Sequence, residues 1–300
     1  MVGELRRRTP LTLMHDADEV PSEKAGGDHF ILMYHHVGSV TRLRGLAPFV
    51  VSPANFKHQL DAIASRGLKI ERLTDLVTAS RVGERRSPSV VLTFDDCSAG
   101  LFDFAIPELE RRGWKATFFA TAGKVGEYND WDRAPGAQRV RLMHWEHLTE
   151  LASLGHEIGA HGLSHASLRD CSDAGALAEM VEAREVLEQG TGARVRTFAY
   201  PFGDIPDGYP RLCRDADYEA ACSIFSTSSH VLGDRFAVRR ILVTDRDAGL
   251  RIRAKLSRLY LRARALVVDP RVLRRSATRP MLEVDNTRLR DEHSTPRKRG

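Results

Sequence analysis

The sequence predicts an α/β protein in which parallel strands alternate with helices and close, or nearly close, into a barrel. Three observations lead to this prediction. Short apolar runs alternate with amphipathic stretches along most of the chain, which is the pattern of repeated βα units. Seven or eight such units follow one another, a number that favours a barrel over an open sheet. Chemically capable side chains stand where several runs end, as expected of a site at the carboxyl ends of barrel strands.

The individual elements follow from these runs. Strands are predicted over residues 30–36, 67–73, 89–95, 115–121, 156–161, 195–201, 218–224 and 236–243. The amphipathic stretches between them predict helices over residues 53–66, 73–80, 101–112, 145–154, 174–190 and 207–216. Start signals support two of the helices, because Ser52 stands before Pro53 and Asp173 precedes the fifth stretch.

Composition divides the chain into four segments. Residues 1–28 are polar and irregular, residues 29–248 hold the predicted barrel, and residues 270–300 have the basic, polar composition of a disordered tail. Residues 249–269 predict a basic amphipathic helix. Its apolar stripe consists of Ile252, Leu256, Leu259, Ala263 and Leu266.

Charge is distributed unevenly along the chain. The net charge is +5, but residues 251–300 hold 15 Lys and Arg against 5 Asp and Glu. The preceding 250 residues therefore carry 30 basic and 35 acidic side chains, and an acidic body argues against nucleic acid as a partner. Two roles stay open for the basic segment 249–300: its helix packs on the barrel, or the segment attaches peripherally to an anionic membrane surface.

Location and redox state can also be predicted. No run approaches the roughly 20 apolar residues of a membrane span, and the N-terminal stretch lacks the apolar segment of a secretory signal. We therefore expect a cytoplasmic protein, with the inner face of the membrane within reach of the tail. The four scattered cysteines show no CxxC spacing, which argues against a thiolate zinc site and a disulfide framework.

Two groups of side chains predict the reactive centre. Asp95 and Asp96 stand side by side where the third apolar run ends, and His161 and His165 follow the fifth run four residues apart. Two imidazoles and one carboxylate suit zinc or another divalent ion and leave a position open for water. Asp96 can complete this set if its strand neighbours that of His161. The alternative is that the two acids cap the following helix.

The chain resembles the polysaccharide deacetylases of carbohydrate esterase family four over about residues 30–245. The resemblance rests on the ordered stretches "ILMYHHVG", "FVVSPANFKHQLDAI", "VVLTFDDCSAG", "ATFFAT", "LGHEIGAHGLSH" and "FAYPFGD". It implies an incomplete (β/α)7-type barrel and a metal-dependent hydrolase that removes an N-acyl group, expected to be acetyl, from an amino sugar. The substrate would be an N-acetylated poly- or oligosaccharide or a lipid-linked glycan. Zinc is the expected ion, with Co²⁺, Ni²⁺ or Mn²⁺ as alternatives.

The resemblance also implies roles for single residues. Asp95 would be the general base, and Asp96, His161 and His165 would hold the metal. The backbone N–H of Phe202, in the stretch aligned with the family's RxPY motif, would stabilise the developing oxyanion.

Two departures from the family pattern affect the expected catalytic groups. Ala199 stands in place of the motif arginine that orients the base. Arg240 could supply a guanidinium instead, because strand alternation lets only one of Arg239 and Arg240 point inward. The segment 236–247 lacks the late histidine that protonates the leaving amine, and His35 at the end of the first run is the expected replacement.

Three further residues complete the expected site. Tyr200 and Trp131 are expected to contact the substrate, Trp131 by stacking on a sugar from the loop-like stretch "EYNDWDRAP". Cys97 stands where the family usually has glycine, and its thiol should resist ionisation beside two carboxylates.

Two other functions stay open: a hydrolase of small amides or cyclic amides on the same fold, and an inactive glycan-binding relative.

Overall fold

The main sheet is built from parallel strands throughout. The structure is a computed structural model, and it describes residues 28–39, 46–82, 87–131, 139–224 and 232–266. The strands are His29–Tyr34 (β1), His36–Val37 (β2), Val50–Val51 (β3), Lys69–Glu71 (β4), Ser89–Asp95 (β5), Thr117–Ala120 (β6), Glu157–Ala160 (β7), Thr197–Ala199 (β8), Ala220–Ser223 (β9), Val238–Arg239 (β10) and Ile241–Leu242 (β11). Each predicted strand is present, and β2 and β3 form a separate small pair that the sequence did not predict.

The helices lie where the amphipathic stretches predict them. They are Pro53–Ala64 (α1), Leu73–Arg81 (α2), Ala99–Arg111 (α3), Trp145–Ser153 (α4), Asp173–Thr191 (α5), Tyr209–Asp215 (α6), Leu250–Lys255 (α7) and Arg258–Leu266 (α8). The first six agree with prediction to within two residues at each end. Ser52 caps α1 as expected. The cap of α5 is Ser172, since its Oγ accepts the N–H of Gly175 at 3.2 Å, and Asp173 is the first helical residue.

The predicted barrel is confirmed, and one short segment joins the two ends of the sheet. The strand order is β10–β9–β8–β7–β6–β5–β1–β11, with β4 beside the first half of β5. The ends of this path, β10 and β11, are separated along the chain by Arg240 alone. The Arg240 N–H donates to Ser223 O at 2.9 Å, and the Val243 N–H donates to Met33 O at 2.9 Å. The segment thus pairs first with β9 and then with β1, which makes the barrel nearly closed.

Strand alternation divides the core into two parts. Apolar side chains such as Ile31, Val91 and Phe119 form one cluster, while Leu92 and Phe118 belong to a larger cluster shared with the helices. Because both faces of the strands are buried, the strands read in the sequence as nearly continuous apolar runs.

The amino-terminal end of the barrel is filled by a buried carboxylate. Glu157, at the start of β7, accepts hydrogen bonds from Thr117 Oγ1 at 2.8 Å and Thr197 Oγ1 at 2.7 Å. It also accepts from the N–H and hydroxyl of Thr74. This saturated carboxylate occupies the opposite end of the strands from the predicted reactive groups, which follow their carboxyl ends.

The helix predicted over residues 249–269 is interrupted at Leu256 and Ser257, between α7 and α8. Ile252 and Leu256 are fully buried against the core, as the packing alternative requires. The prediction of one continuous apolar stripe is wrong beyond this break, because Leu259 is 78% exposed and Leu261 packs on the core instead. The change in direction between the two helices turns a different face of α8 inward.

Two predicted segments fall largely outside the described residues. They are the irregular N-terminal segment, up to residue 27, and the basic tail of residues 270–300. Among the helices that the structure describes, none has both the length and the apolar content to cross a membrane.

Candidate active site

The reactive side chains converge although their strands are not neighbours. Asp95 ends β5 and His161 directly follows β7, and the strand β6 lies between β5 and β7. The strands of Asp96 and His161 are therefore not neighbours, and the condition set for Asp96 to join the two histidines is not met in that form. The two side chains still meet, because the sheet curves and because Asp96 has a left-handed backbone with φ of 67°.

Asp96, His161 and His165 form a compact, buried group. Asp96 Oδ1 lies 3.5 Å from His161 Nε2 and 3.4 Å from His165 Nε2. The three potential ligand atoms all lie within 4.8 Å of one another. The helix α3 has Ser98, not an aspartate, at its N-cap. The acid pair is thus directed into the site, and the capping alternative is not what the structure shows.

The protonation of His161 suits a metal ligand. Its Nδ1 lies 2.7 Å from the carbonyl oxygen of Ala199, which can only accept, so the proton sits on Nδ1 and a lone pair remains on Nε2. Burial lowers the pKa of His161 to about 4, which keeps the imidazole neutral. Burial alone would raise the pKa of Asp96, but the attraction of His165 and its neighbours holds it well below its usual range.

Two electron-rich atoms, Asp96 Oδ1 and the unprotonated Nε2 of His161, therefore face each other across 3.5 Å in a buried site. Among the described residues, Asp96 Oδ1 has no hydrogen-bond partner, and an unpaired buried carboxylate oxygen is costly. A zinc ion with ligand bonds of about 2.1 Å in tetrahedral geometry places its ligands about 3.4 Å apart. The observed separations of 3.4 and 3.5 Å match that value. The donor set and the two separations from Asp96 therefore fit a divalent cation.

The second acid, Asp95, is held by a guanidinium. Arg240 Nη1 and Nη2 donate to the two carboxylate oxygens of Asp95 at 2.6 and 2.7 Å, and Nη1 also lies 3.2 Å from Thr93 Oγ1. Both partners are buried. Burial raises the pKa of Asp95, but the charges of Arg240, His161 and His35 and the hydrogen bonds from Arg240 together outweigh it, so the net pKa is lowered. Arg239 points away and donates to Arg264 O at 3.1 Å.

The guanidinium reaches Asp95 from the segment that closes the barrel. Its central carbon lies 5.4 Å from the ring centre of Phe119. Ala199, the position of the motif arginine, lies in the same apolar cluster as Phe119 and Val238. The chain thus places an arginine against the first aspartate from β10–β11 instead of from β8.

His35 lies beside the same carboxylate. Its Nε2 is 3.9 Å from Asp95 Oδ2, and its ring packs on Phe49 with centroids 4.7 Å apart. Its Nδ1 is buried and has no hydrogen-bond partner in the described part of the chain. The next residue, His36, is buried, and burial lowers its pKa to about 4.

Aromatic side chains surround His165. The indole of Trp131 stacks on its imidazole, with centroids 4.0 Å apart and planes within 9°. Phe202 meets the same ring edge-on at 4.7 Å. Phe202 is 46% exposed and has a left-handed backbone with φ of 58°. One face of Trp131 is therefore used within the protein, and its predicted contact with a sugar remains a proposal.

Tyr200 is not placed to contact a substrate, contrary to expectation. Its side chain is 1% exposed, and its hydroxyl donates to Phe236 O at 2.9 Å and lies 3.1 Å from Cys213 Sγ. Strand alternation turns this ring toward the helices. Cys97 is buried, and burial together with the two carboxylates raises the pKa of its thiol well above the usual value.

Sequence reasoning missed Thr93 and Glu179. Thr93 lies two residues before Asp95 on the same face of β5, and this spacing could have revealed it. Glu179 lies on α5, and its carboxylate binds the turn between His161 and His165. No local pattern identifies it, because the contact depends on how α5 packs against the barrel.

Comparison with known proteins agrees with this fold. A family model described as "Polysaccharide deacetylase" matches residues 82–221. The poly-beta-1,6-N-acetyl-D-glucosamine N-deacetylase of Staphylococcus aureus (strain MRSA252) is 23% identical over 247 residues, or 77% of this chain and 84% of that protein. Over the matched residues the chain is similar to the polysaccharide deacetylases, which are hydrolases.

Solved structures show the same fold. The Streptococcus pyogenes deacetylase PplD, in complex with acetate, matches with a TM-score of 0.64 at 19% identity, covering 76% of this chain and 97% of that one. IcaB from Ammonifex degensii matches with a TM-score of 0.62 at 22% identity, covering 77% and 99%. At these identities the likeness establishes the barrel, and the chemistry has to be argued from the site.

Proposed function

We propose that the protein is a metal-dependent N-deacetylase that removes an acetyl group from an amino sugar of an N-acetylated glycan. One observation carries the proposal: an ionised Asp95, paired with Arg240, lies beside a buried Asp–His–His group with the spacing of a metal site. The names of the relatives, which include poly-N-acetylglucosamine deacetylases, support this substrate class.

Asp96, His161 and His165 are the proposed ligands. A divalent ion held there, with zinc as first choice, would lower the pKa of a coordinated water and polarise the acyl carbonyl. The neutral state of His161 and the ionised state of Asp96 provide the lone pairs that such an ion needs.

Asp95 is the proposed general base. Arg240 keeps it ionised and fixes its plane, and each carboxylate oxygen retains a further lone pair that can accept a proton from the attacking water. His35 Nε2, 3.9 Å from Asp95 Oδ2, is the proposed donor of a proton to the leaving amine. The backbone N–H of Phe202 is the proposed donor to the developing oxyanion.

The alternative of an inactive glycan-binding relative rested on the missing motif arginine and late histidine. Arg240 and His35 lie against Asp95, so both missing groups have a candidate replacement. Geometry therefore favours a catalytic protein. The other alternative, a hydrolase of small amides or cyclic amides, is distinguished from a glycan deacetylase by measuring which of these substrates the protein hydrolyses.

Acetate release from a panel of N-acetylated oligosaccharides, lipid-linked amino sugars and small cyclic amides tests the proposal directly. Asp95→Asn should keep the metal and lower turnover by about 10²- to 10⁴-fold, the usual contribution of a general base. His161→Ala should lose the metal. Turnover at the wild-type rate in Asp95→Asn, or full metal content in His161→Ala, would contradict the assigned roles.

We also propose peripheral membrane attachment through residues 249–300. Support within the described part comes from α8, where Arg258, Leu259 and Arg262 are exposed. Because Ile252 and Leu256 belong to the core, the test should spare α7. Arg262→Glu with Leu259→Ser should reduce co-sedimentation with anionic lipid vesicles, and unchanged co-sedimentation would argue against this attachment.

A further inference from the structure

The turn between the two histidines is held by one carboxylate. Glu179 lies on α5, outside the barrel strands, and its Oε2 accepts the backbone N–H groups of Leu163 at 2.9 Å and Ser164 at 3.0 Å. Its Oε1 accepts the Ser164 hydroxyl at 2.6 Å. Three hydrogen bonds thus connect one side chain to the residues that separate His161 from His165.

The opposite edge of the turn is also fixed. The N–H of Ala122 donates to Gly162 O at 3.0 Å, and the N–H of Gly123 donates to Leu163 O at 2.8 Å. The turn is therefore clamped between α5, which receives its N–H groups, and the segment after β6, which binds its carbonyl oxygens. Removing the Glu179 carboxylate would leave the backbone N–H groups of Leu163 and Ser164 without this acceptor.

The conformation of the turn requires such support. His165 has a left-handed backbone with φ of 66°, a conformation that is strained for a residue with a side chain. Gly162 is also left-handed, with φ of 78°, and a Cβ there would lie 3.2 Å from Glu179 Oε2. The carboxylate thus packs closely against the turn and stabilises a backbone that would otherwise relax.

The two histidines depend on this turn to different degrees. His161 is oriented by its own hydrogen bond to Ala199 O. His165 Nδ1 is buried and has no hydrogen-bond partner within the described ranges. The position of the His165 ring is therefore set by its backbone and by the packing of Trp131 and Phe202. A shift of the turn would move His165 more than His161.

We propose that Glu179 is a positioning residue for the metal site, acting through the turn of residues 162–165 on His165. This inference rests on the proposed function. A ligating imidazole is usually oriented by a hydrogen bond from its second nitrogen. For His165, the hydrogen bonds of Glu179 to the turn take over this orienting role. The residue itself contacts neither the metal position nor the substrate.

The test is the affinity of metal-free protein for Zn²⁺, measured by competition with a fluorescent chelator. Glu179→Ala should weaken binding by about 10- to 100-fold, the usual cost of losing such an outer partner. Glu179→Gln keeps one oxygen that can accept both N–H groups, and it should stay within a few-fold of wild type. Glu182→Gln, an exposed position on the same helix, is the matched control and should bind as wild type.

Two results would overturn the proposal: wild-type affinity in a folded Glu179→Ala, and an equal loss in Glu182→Gln. If Glu179→Ala does not fold, Glu179→Asp decides, because its carboxylate is one methylene too short for all three bonds. Loss of affinity in Glu179→Asp but not in Glu179→Gln supports the role, and wild-type affinity in both refutes it. A wild-type protein that binds no Zn²⁺ would instead overturn the proposed function itself, with this inference.

Discussion

Replacing Arg240 by methionine should destabilise the protein strongly. Methionine has similar length and no charge, so it can fill part of the space beside Phe119 while removing both hydrogen bonds to Asp95. The carboxylate would then be buried without a partner, since Arg240 supplies the only guanidinium that the described residues place against it. Among the described groups near Asp95, the ionisable side chains that remain are His161 and His35, the latter with Nε2 3.9 Å from Asp95 Oδ2.

The magnitude follows from the burial of the pair. Breaking a buried ion pair by removing one partner costs about 3–5 kcal/mol, mostly because the remaining charge is uncompensated. Asp95→Asn should cost a comparable amount, because it leaves Arg240 buried and short of an anion. The double variant removes both charges, so we expect it to cost less than the sum, with a coupling free energy of about 1–3 kcal/mol.

Urea unfolding of metal-free protein provides the assay, since bound metal would add its own stabilisation. Arg239→Met is the matched control: it lies one residue earlier, faces away from Asp95, and should cost less than about 1 kcal/mol. Equal costs for Arg240→Met and Arg239→Met would refute the reasoning. Additive costs for Arg240→Met and Asp95→Asn would refute it equally.

Three further predictions concern stability and are checked by urea or thermal unfolding. Cys97→Gly should stay within about 1 kcal/mol of wild type, since relief of the left-handed backbone (φ 53°) offsets the lost side chain; a loss above about 3 kcal/mol would contradict this. Gly190→Ala should cost about 1–3 kcal/mol, because its Cβ would lie 2.2 Å from the Trp145 ring, and wild-type stability would argue against this packing. Asp245 accepts hydrogen bonds from the N–H and hydroxyl of Ser52. Burial raises its pKa, but these bonds and one from the Asn55 side chain together outweigh burial and lower the pKa. The contribution of Asp245 is therefore present above about pH 4 and lost as pH falls through the lowered pKa. Asp245→Asn should therefore cost about 1 kcal/mol at neutral pH and little in acid, and a cost that does not change with pH would contradict this.

The barrel could be predicted from the sequence because each strand and helix carries its own pattern. Strands buried on both faces read as continuous apolar runs, and the intervening helices read as amphipathic stretches, so element bounds follow from local information. The helix predicted over residues 249–269 shows the limit of this reasoning. Its apolar stripe continues through Leu259 in the sequence, but the break at Leu256 and Ser257 changes which face packs inward.

The site was predicted where contacts follow strand ends and missed where they depend on packing. Asp95, Asp96, His161 and His165 all follow strand ends, so their convergence could be expected. Tyr200 also ends a strand, but the pleat directs it outward, and a single residue of register decides between the two faces. Register within a short strand of three residues cannot be read from an apolar run alone.

The position of Arg240 explains how the barrel can use an arginine from a different strand. The interior of a barrel is shared by all its strands, so a guanidinium can reach the same carboxylate from several of them. Arg240 lies at the residue where the closing segment changes its partner from β9 to β1, and the backbone is bonded on both sides of it, to Ser223 and to Met33. The group that fixes Asp95 is therefore anchored by the closure of the barrel itself. Disturbing that closure should impair Asp95, the proposed general base, even when every residue of the site is retained.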